Sequence, residues 1–205
     1  MKTRTEGVTE LIVEAAEKEF LEYGYTEASL RRIAAACNVS THTIYTRFDG
    51  KEGLLDAVVG EVAEELKRIH RVALGRANAE ATFIECEDKA VEGTEDFLTY
   101  IYAYFEKFKI IICKSAGTKY EHYLDELAEV EESFYKQKIG TIRGRNEKIS
   151  DFFIHAICSV GFKPIYEIVS HDLPLEEARE YMEITEQFNF GGWAAVFEKT
   201  NTINK

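Results

Sequence analysis

Apolar residues recur three and four positions apart along most of the chain, the spacing that lines one face of successive helices. The first stripe, Ile12, Ala15, Ala16, Phe20 and Tyr23, predicts a helix that ends near Gly24, with Glu19 interrupting the stripe at its edge. A short second helix starts with Ser29 as its N-cap and carries Leu30, Ile33 and Ala34. Asn38 and Ser40, residue types of turns and caps, stop it. A third helix runs from about Ser40 to Arg47. Gly50 then breaks the pattern before a longer helix marked by Leu54, Val58, Val62, Leu66 and Ile69, whose signal weakens over residues 74–78.

Helical spacing continues over residues 97–112, 118–139, 149–169 and 175–197. Thr118-Lys119-Tyr120-Glu121 has the form of a capping box, in which hydroxyl and carboxylate satisfy the free amides of a helix start. Pro174 followed by Glu176 and Glu177 marks another start, because proline fits the first turn and acids suit the dipole there. The β-rich run Ile110-Ile111-Ile112-Cys113 is short and isolated, so no strand pattern competes and the fold class is all-α.

Composition narrows the class. The 205 residues are 45% hydrophobic and 30% charged with two prolines, which fits a soluble helical protein with a real core and argues against disorder. The net charge of −12 speaks against nonspecific nucleic-acid binding by the chain as a whole. Residues 27–51 differ: Arg31, Arg32, Arg47 and Lys51 against Glu27 and Asp49 give 4 − 2 = +2. Cys37, Cys86, Cys113 and Cys158 are scattered, with no CxxC pair and no histidine at metal-ligand spacing, so a reduced, cytoplasmic protein without metal or cofactor is expected. The first residues meet acidic and polar side chains before any signal-like apolar stretch, and no later run is expected to span a membrane.

The segment Leu30 to Arg47, LRRIAAACNVSTHTIYTR, meets the steric needs of a helix-turn-helix. Ile33, Val39 and Ile44 supply the apolar contact between its helices, and Ala34 is small where the second passes close to the first. Asn38 stands where the chain must turn left-handed, which asparagine tolerates among non-glycines. Ser40 caps the next helix, whose Thr41, His42, Thr43 and Thr46 can hydrogen-bond base edges or phosphates in a major groove. Tyr45 and Lys51 are placed to hold the phosphate backbone.

Gly24-Tyr25-Thr26, then Ser29, then IAAACNVSTHTIYTRFDGKEGLL resemble the N-terminal DNA-binding region of TetR-family regulators, in detail from about Ile12 to Leu55. The family typically has glycine where Asn38 stands and often glycine where His42 stands. The first difference preserves the turn; the second removes any family-based reading of the operator sequence. The resemblance implies phosphate contacts from Thr26, Ser29, Tyr45 and Lys51, and groove contacts from Thr41, His42, Thr43 and Thr46 beside the cap Ser40. It also implies an N-terminal three-helix bundle, residues 1–50, and a larger helical domain, 51–205, entered through a connector helix, 51–74. That larger domain would dimerise through its last two long helices and enclose a pocket for a small-molecule effector. The expected protein is thus a homodimeric repressor of double-stranded operator DNA, released from a palindromic site by its ligand.

For the pocket, the aromatic and polar candidates are Tyr100, Tyr104, Phe108, Tyr123, Phe152 and His155, although aromatic residues at helix spacing also fill ordinary bundles. Gly191-Gly192 fits either a close helix crossing at a dimer interface or a simple helix break. Two other classes stand beside the repressor. One is a helical protein-binding adaptor with a degenerate helix-turn-helix. The other is an enzyme pairing Cys113 or Cys158 with His122 or His155, for which no strand-turn-helix elbow exists in the pattern; a non-enzyme is expected.

Overall fold

The computed structural model describes residues 4–79, 83–142 and 149–202. Among the described residues there are ten helices and no strand. In chain order they are α1 (Arg4–Glu27), α2 (Leu30–Ala36), α3 (Thr41–Phe48), α4 (Lys51–Ala79), α5 (Phe83–Ala103), α6 (Phe105–Cys113), α7 (Tyr123–Ile142), α8 (Asp151–Gly161), α9 (Lys163–Ser170) and α10 (Leu175–Thr202). They gather into two compact units, Met1–Glu65 with Ala103–Tyr123, and Leu66–Tyr102 with Leu124–Lys205.

In the first unit, Ile12, Ala16 and Phe20 of α1 are fully buried, as are Ile44 of α3, Leu54 and Leu55 of α4, and Phe108 and Ile110 of α6. Burying each large apolar side chain of this kind contributes roughly 1.5–3 kcal/mol. Helix α1 packs against α2 and, from far along the chain, against α6. Gly24 ends the regular part of α1 at φ 70°, ψ 167°, a backbone region that side chains disfavour. The turn frees the Tyr25 amide to donate to the Lys114 carbonyl at 2.8 Å. Further on, the Tyr123 hydroxyl donates to the Ala63 carbonyl at 2.7 Å.

The second unit buries Leu66, Phe97, Leu98, Ile101, Leu127, Ile154, Ile165, Ile168 and Val169. Arg179 of α10 grips Glu95 of α5, with Nη2 at 2.5 Å, and Lys67 of α4 meets Glu126 of α7 at 2.5 Å. The Tyr102 hydroxyl donates to the Leu173 carbonyl at 2.5 Å, tying the end of α5 to the loop before α10.

Four sequence expectations change. The helix expected over 97–112 is two helices, broken at Tyr104 (φ −131°, ψ 37°), where the chain passes from the second unit to the first. The Thr118 motif caps no helix start: its hydroxyl accepts from the Tyr120 amide and Glu121 accepts from the Gly117 amide, so these groups close a turn and α7 begins at Tyr123. The helix expected over 149–169 breaks at Phe162, because Pro164 has no N–H to continue the ladder and its ring would meet the carbonyl of Val160. Asp151–Ser170 does have the length and apolarity of a membrane span, contrary to expectation, but it is this broken pair.

Candidate DNA-binding site

Ile33 and Ala34 of α2 and Ile44 of α3 are buried in the first unit, while Val39, assigned to the same contact, is half-buried. Between them Asn38 adopts φ 53°, the left-handed turn, and the Val39 amide donates back to the Ala34 carbonyl at 2.9 Å. Ser40 caps α3: its Oγ accepts from the Thr43 amide at 3.2 Å and shares a hydrogen bond with Thr43 Oγ1 at 3.0 Å. Such a cap is worth about 1 kcal/mol and fixes where the helix starts. Asp49 at φ 56° and Gly50 at φ 101° then end α3 and turn the chain into α4.

The expected groove residues lie on this short, capped helix. His42, Tyr45 and Thr46 are exposed, Tyr45 to 57%, while Thr41 and Thr43 are half-buried. Thr46 donates its hydroxyl proton to the His42 carbonyl at 2.8 Å, which leaves its oxygen as an acceptor. Arg47 donates to Thr9 Oγ1 of α1 at 2.7 Å and so anchors the far end of α3.

Lys51, expected as a phosphate contact, also has partners inside the unit. Its Nζ donates to the carbonyls of Thr26 and Ala28 at 3.0 and 2.9 Å and lies 4.7 Å from the centre of the Tyr25 ring. Partial burial draws its pKa below the usual lysine value, against the opposing pull of Glu27 and Glu19. The ammonium therefore pins the loop that carries Thr26 and Ser29 to the N-terminus of α4. It is this pinning that brings Thr26, Ser29 and Lys51 together.

Ser29 occupies the N-cap position of α2 without a side-chain cap bond. Its amide instead donates to Glu19 Oε1 at 2.7 Å, and Arg32 Nε donates to the same oxygen at 2.8 Å. Arg32 further donates to the Glu27 carbonyl at 2.9 Å and lies over the Tyr23 ring at 4.2 Å. Glu19 is thus not at the edge of the α1 stripe but 8% exposed within it. Sequence reasoning missed this group, although a carboxylate inside an apolar stripe signals a required partner.

The six expected effector residues fall three to each unit. In the first, Phe108 and Tyr123 are buried core and Tyr104 is exposed. In the second, Tyr100 is half-buried on α5, Phe152 is 79% exposed on α8, and exposed His155 binds Glu132 through Nδ1 at 2.9 Å. Cys37 and Cys113 are partly exposed thiols outside any disulfide, and the buried Cys158 thiol is pushed up to about 12 by burial and the nearby Glu131. The side chain of Cys86 lies outside the described residues.

Comparison with known proteins reaches the same segment. The family described as bacterial regulatory proteins, tetR family, matches residues 12–58. The HTH-type transcriptional regulator YhgD of Bacillus subtilis is 40% identical over 58 residues, which take in 28% of this chain and 30% of that regulator's length. Among solved structures, a TerR/AcrR-family transcriptional regulator from Aquifex aeolicus superposes with a TM-score of 0.60 at 17% identity, over 89% of this chain and 99% of that one. The fatty acid degradation regulator FadR from Bacillus halodurans gives 0.56 at 19% identity, over 89% and 98%. The TetR-family regulator PfmR from Thermus thermophilus gives 0.54 at 18%, over 86% and 94%. At these identities the structures speak for the fold, while the N-terminal match speaks for the helix-turn-helix. The N-terminal module thus matches the tetR family of bacterial regulatory proteins over residues 12–58, and the chain shares its fold with solved TetR-family regulators.

Proposed function

We propose that this chain is a homodimeric repressor that reads a palindromic operator with α3 and releases it when a small molecule binds the second unit. The observation that carries the reading is the exposed polar face of α3, fixed at its start by the Ser40 cap and at its end by Arg47. Thr41, His42, Thr43 and Thr46 reach base edges in the major groove, while Thr26, Ser29, Tyr45 and Lys51 hold phosphates on either side. Two copies would set their α3 helices about 34–36 Å apart, one turn of duplex.

Support for the second copy comes from apolar side chains left in the open: Phe152 and Val160 on α8, Ile184 and Phe188 on α10. Gly191 and Gly192 continue the α10 surface with open space where a Cβ would stand, which suits a close crossing by a partner helix. Of the two readings of that glycine pair, the helix break is gone, since α10 runs through both. Helix α4 contributes to both units, so a ligand that prefers a conformation with a different α3 spacing draws the population away from DNA. By linkage, DNA weakens that ligand equally.

The test is fluorescence anisotropy on duplexes from the DNA flanking the protein's own gene, over a range of salt. Tight binding to a palindromic fragment is expected. Lys51→Met, which keeps the stem and removes the charge, should weaken all duplexes alike and lower the salt slope by about one unit. Failure to bind any fragment at low salt would overturn the repressor.

A further inference from the structure

Which base edges α3 can read follows from where its residues stand around the helix and from what their hydroxyls already hold. Ile44 is fully buried and fixes the inward direction. At about 100° per residue, His42 and Thr46 each stand about 160° from Ile44, one on either side, and both are exposed. They form the ridge of the helix that would enter a groove first. Thr43 and Tyr45 lie about 100° from Ile44, on the two flanks, and Arg47 lies about 60° away, where its guanidinium goes to Thr9 Oγ1.

The hydroxyls of this helix are not equivalent donors. Ser40 Oγ and Thr43 Oγ1 share a hydrogen bond at 3.0 Å, and Ser40 Oγ also accepts from the Thr43 amide at 3.2 Å, so both groups are tied into the cap. On the ridge, Thr46 Oγ1 donates its proton to the His42 carbonyl one turn back, at 2.8 Å. Threonine makes this bond readily inside a helix, and giving it up in a groove cleared of water requires an equal acceptor in exchange. Bonded in this way, Thr46 has two things left to offer: lone pairs on Oγ1, which accept, and a γ-methyl group.

The base pairs meet such a side chain differently. Guanine shows only acceptors in the major groove, N7 and O6, which face the Thr46 oxygen with no proton between them. Cytosine shows an amino donor but no methyl, and its guanine partner brings both acceptors alongside. An A·T pair alone offers a donor, the adenine N6 amino group, together with a methyl, on C5 of thymine. We propose that Thr46 is a specificity-determining residue that selects an A·T pair in each operator half-site, its methyl against the thymine methyl and its oxygen accepting from adenine N6. With α3 as the groove helix proposed above, on which this assignment rests, one letter of each half-site becomes readable.

The half-site is obtained by selecting duplexes from a random pool with the full chain, and affinities are then read by fluorescence anisotropy at fixed salt. One A·T position should be shared by the selected half-sites, and G·C in its place should weaken binding about tenfold. Uracil for thymine at that position, in one half-site, removes only the methyl and should weaken binding about fourfold, the worth of one buried methyl-sized group. Thr46→Ser keeps the hydroxyl and loses the methyl, so it should bind the thymine and uracil duplexes alike. Thr46→Val keeps the methyl and loses the hydroxyl, so it should retain the thymine preference. A uracil penalty that survives Thr46→Ser at every thymine, one that Thr46→Val removes as well, or no uracil penalty at any position would each overturn the assignment. A chain that selects a palindrome and gives one of these results loses this reader alone, whereas a chain that selects no sequence loses the repressor.

Discussion

A buried carboxylate is tolerated only when its lone pairs are used, and Glu19 uses them on the Ser29 amide and the Arg32 guanidinium. Neither interaction is with DNA, yet together they set the entry to α2 and hence where the Ser29 hydroxyl stands. Removing the carboxylate leaves the part-buried Ser29 N–H without its acceptor, while the exposed Arg32 guanidinium turns to water and the Glu27 carbonyl. Glu19→Ala is therefore expected to destabilise the chain by about 1 kcal/mol in a urea titration, from the loss of the acceptor for the Ser29 amide. A loss within about 0.5 kcal/mol would mean that water replaces Glu19 without penalty. The residues of the helix-turn-helix that were readable in advance, Asn38 and Ser40 above all, are those whose roles are local: a left-handed turn and a cap three residues from its amide. Glu19 and Lys51 were harder to read because their partners lie 10 to 13 and 23 to 25 positions away.

At the scale of elements, helices with a buried stripe and a clear stop were legible, and those interrupted for tertiary reasons were not. The Asn38 turn and the Ser40 cap announced α2 and α3. Pro164 should have divided α8 from α9, and the apolar run on both sides of it hid that division. Nothing in the sequence around Tyr104 marks the end of α5, because the backbone there departs from the helix without glycine or proline. The exposed faces of α8 and α10 carry the element-scale prediction. Ile184 and Phe188 are 68% and 80% exposed, one turn apart on α10, and burying each in a partner contributes roughly 1.5–3 kcal/mol. Phe188→Asp should convert a dimer to a monomer in sedimentation at micromolar concentration with its helical circular dichroism retained. A dimer that survives the substitution places the interface elsewhere.

For the whole molecule, two buried groups tilt the pH dependence of stability in opposite senses. The Glu131 carboxyl is raised from 4.5 to about 7, so the native state holds a proton that the unfolded chain has released, and stability falls as pH rises between those values. His70 is lowered from 6.5 to about 4, so the unfolded chain binds a proton first, and stability falls as pH drops between those values. From about pH 4.5 to about pH 6.5 the two slopes oppose each other. Glu131→Gln should leave a stability that climbs with pH in this window, and His70→Gln one that declines, both read from denaturant midpoints. Parallel behaviour of the two variants would show that these groups do not titrate as their burial requires.

The same scale holds what was least legible: that residues 103–123 complete the unit begun by residues 1–65. Contacts between remote segments leave no periodic mark, so α6 looked like one more stretch of a distal bundle. Yet α6 lies against α1, and the Lys114 carbonyl takes the amide that Gly24 turns outward. A hybrid regulator that splices only the first 58 residues of this chain onto a foreign sensor would therefore inherit a reading head with one wall missing. To be exchanged as a working part, the head has to travel with its second, distant stretch of chain.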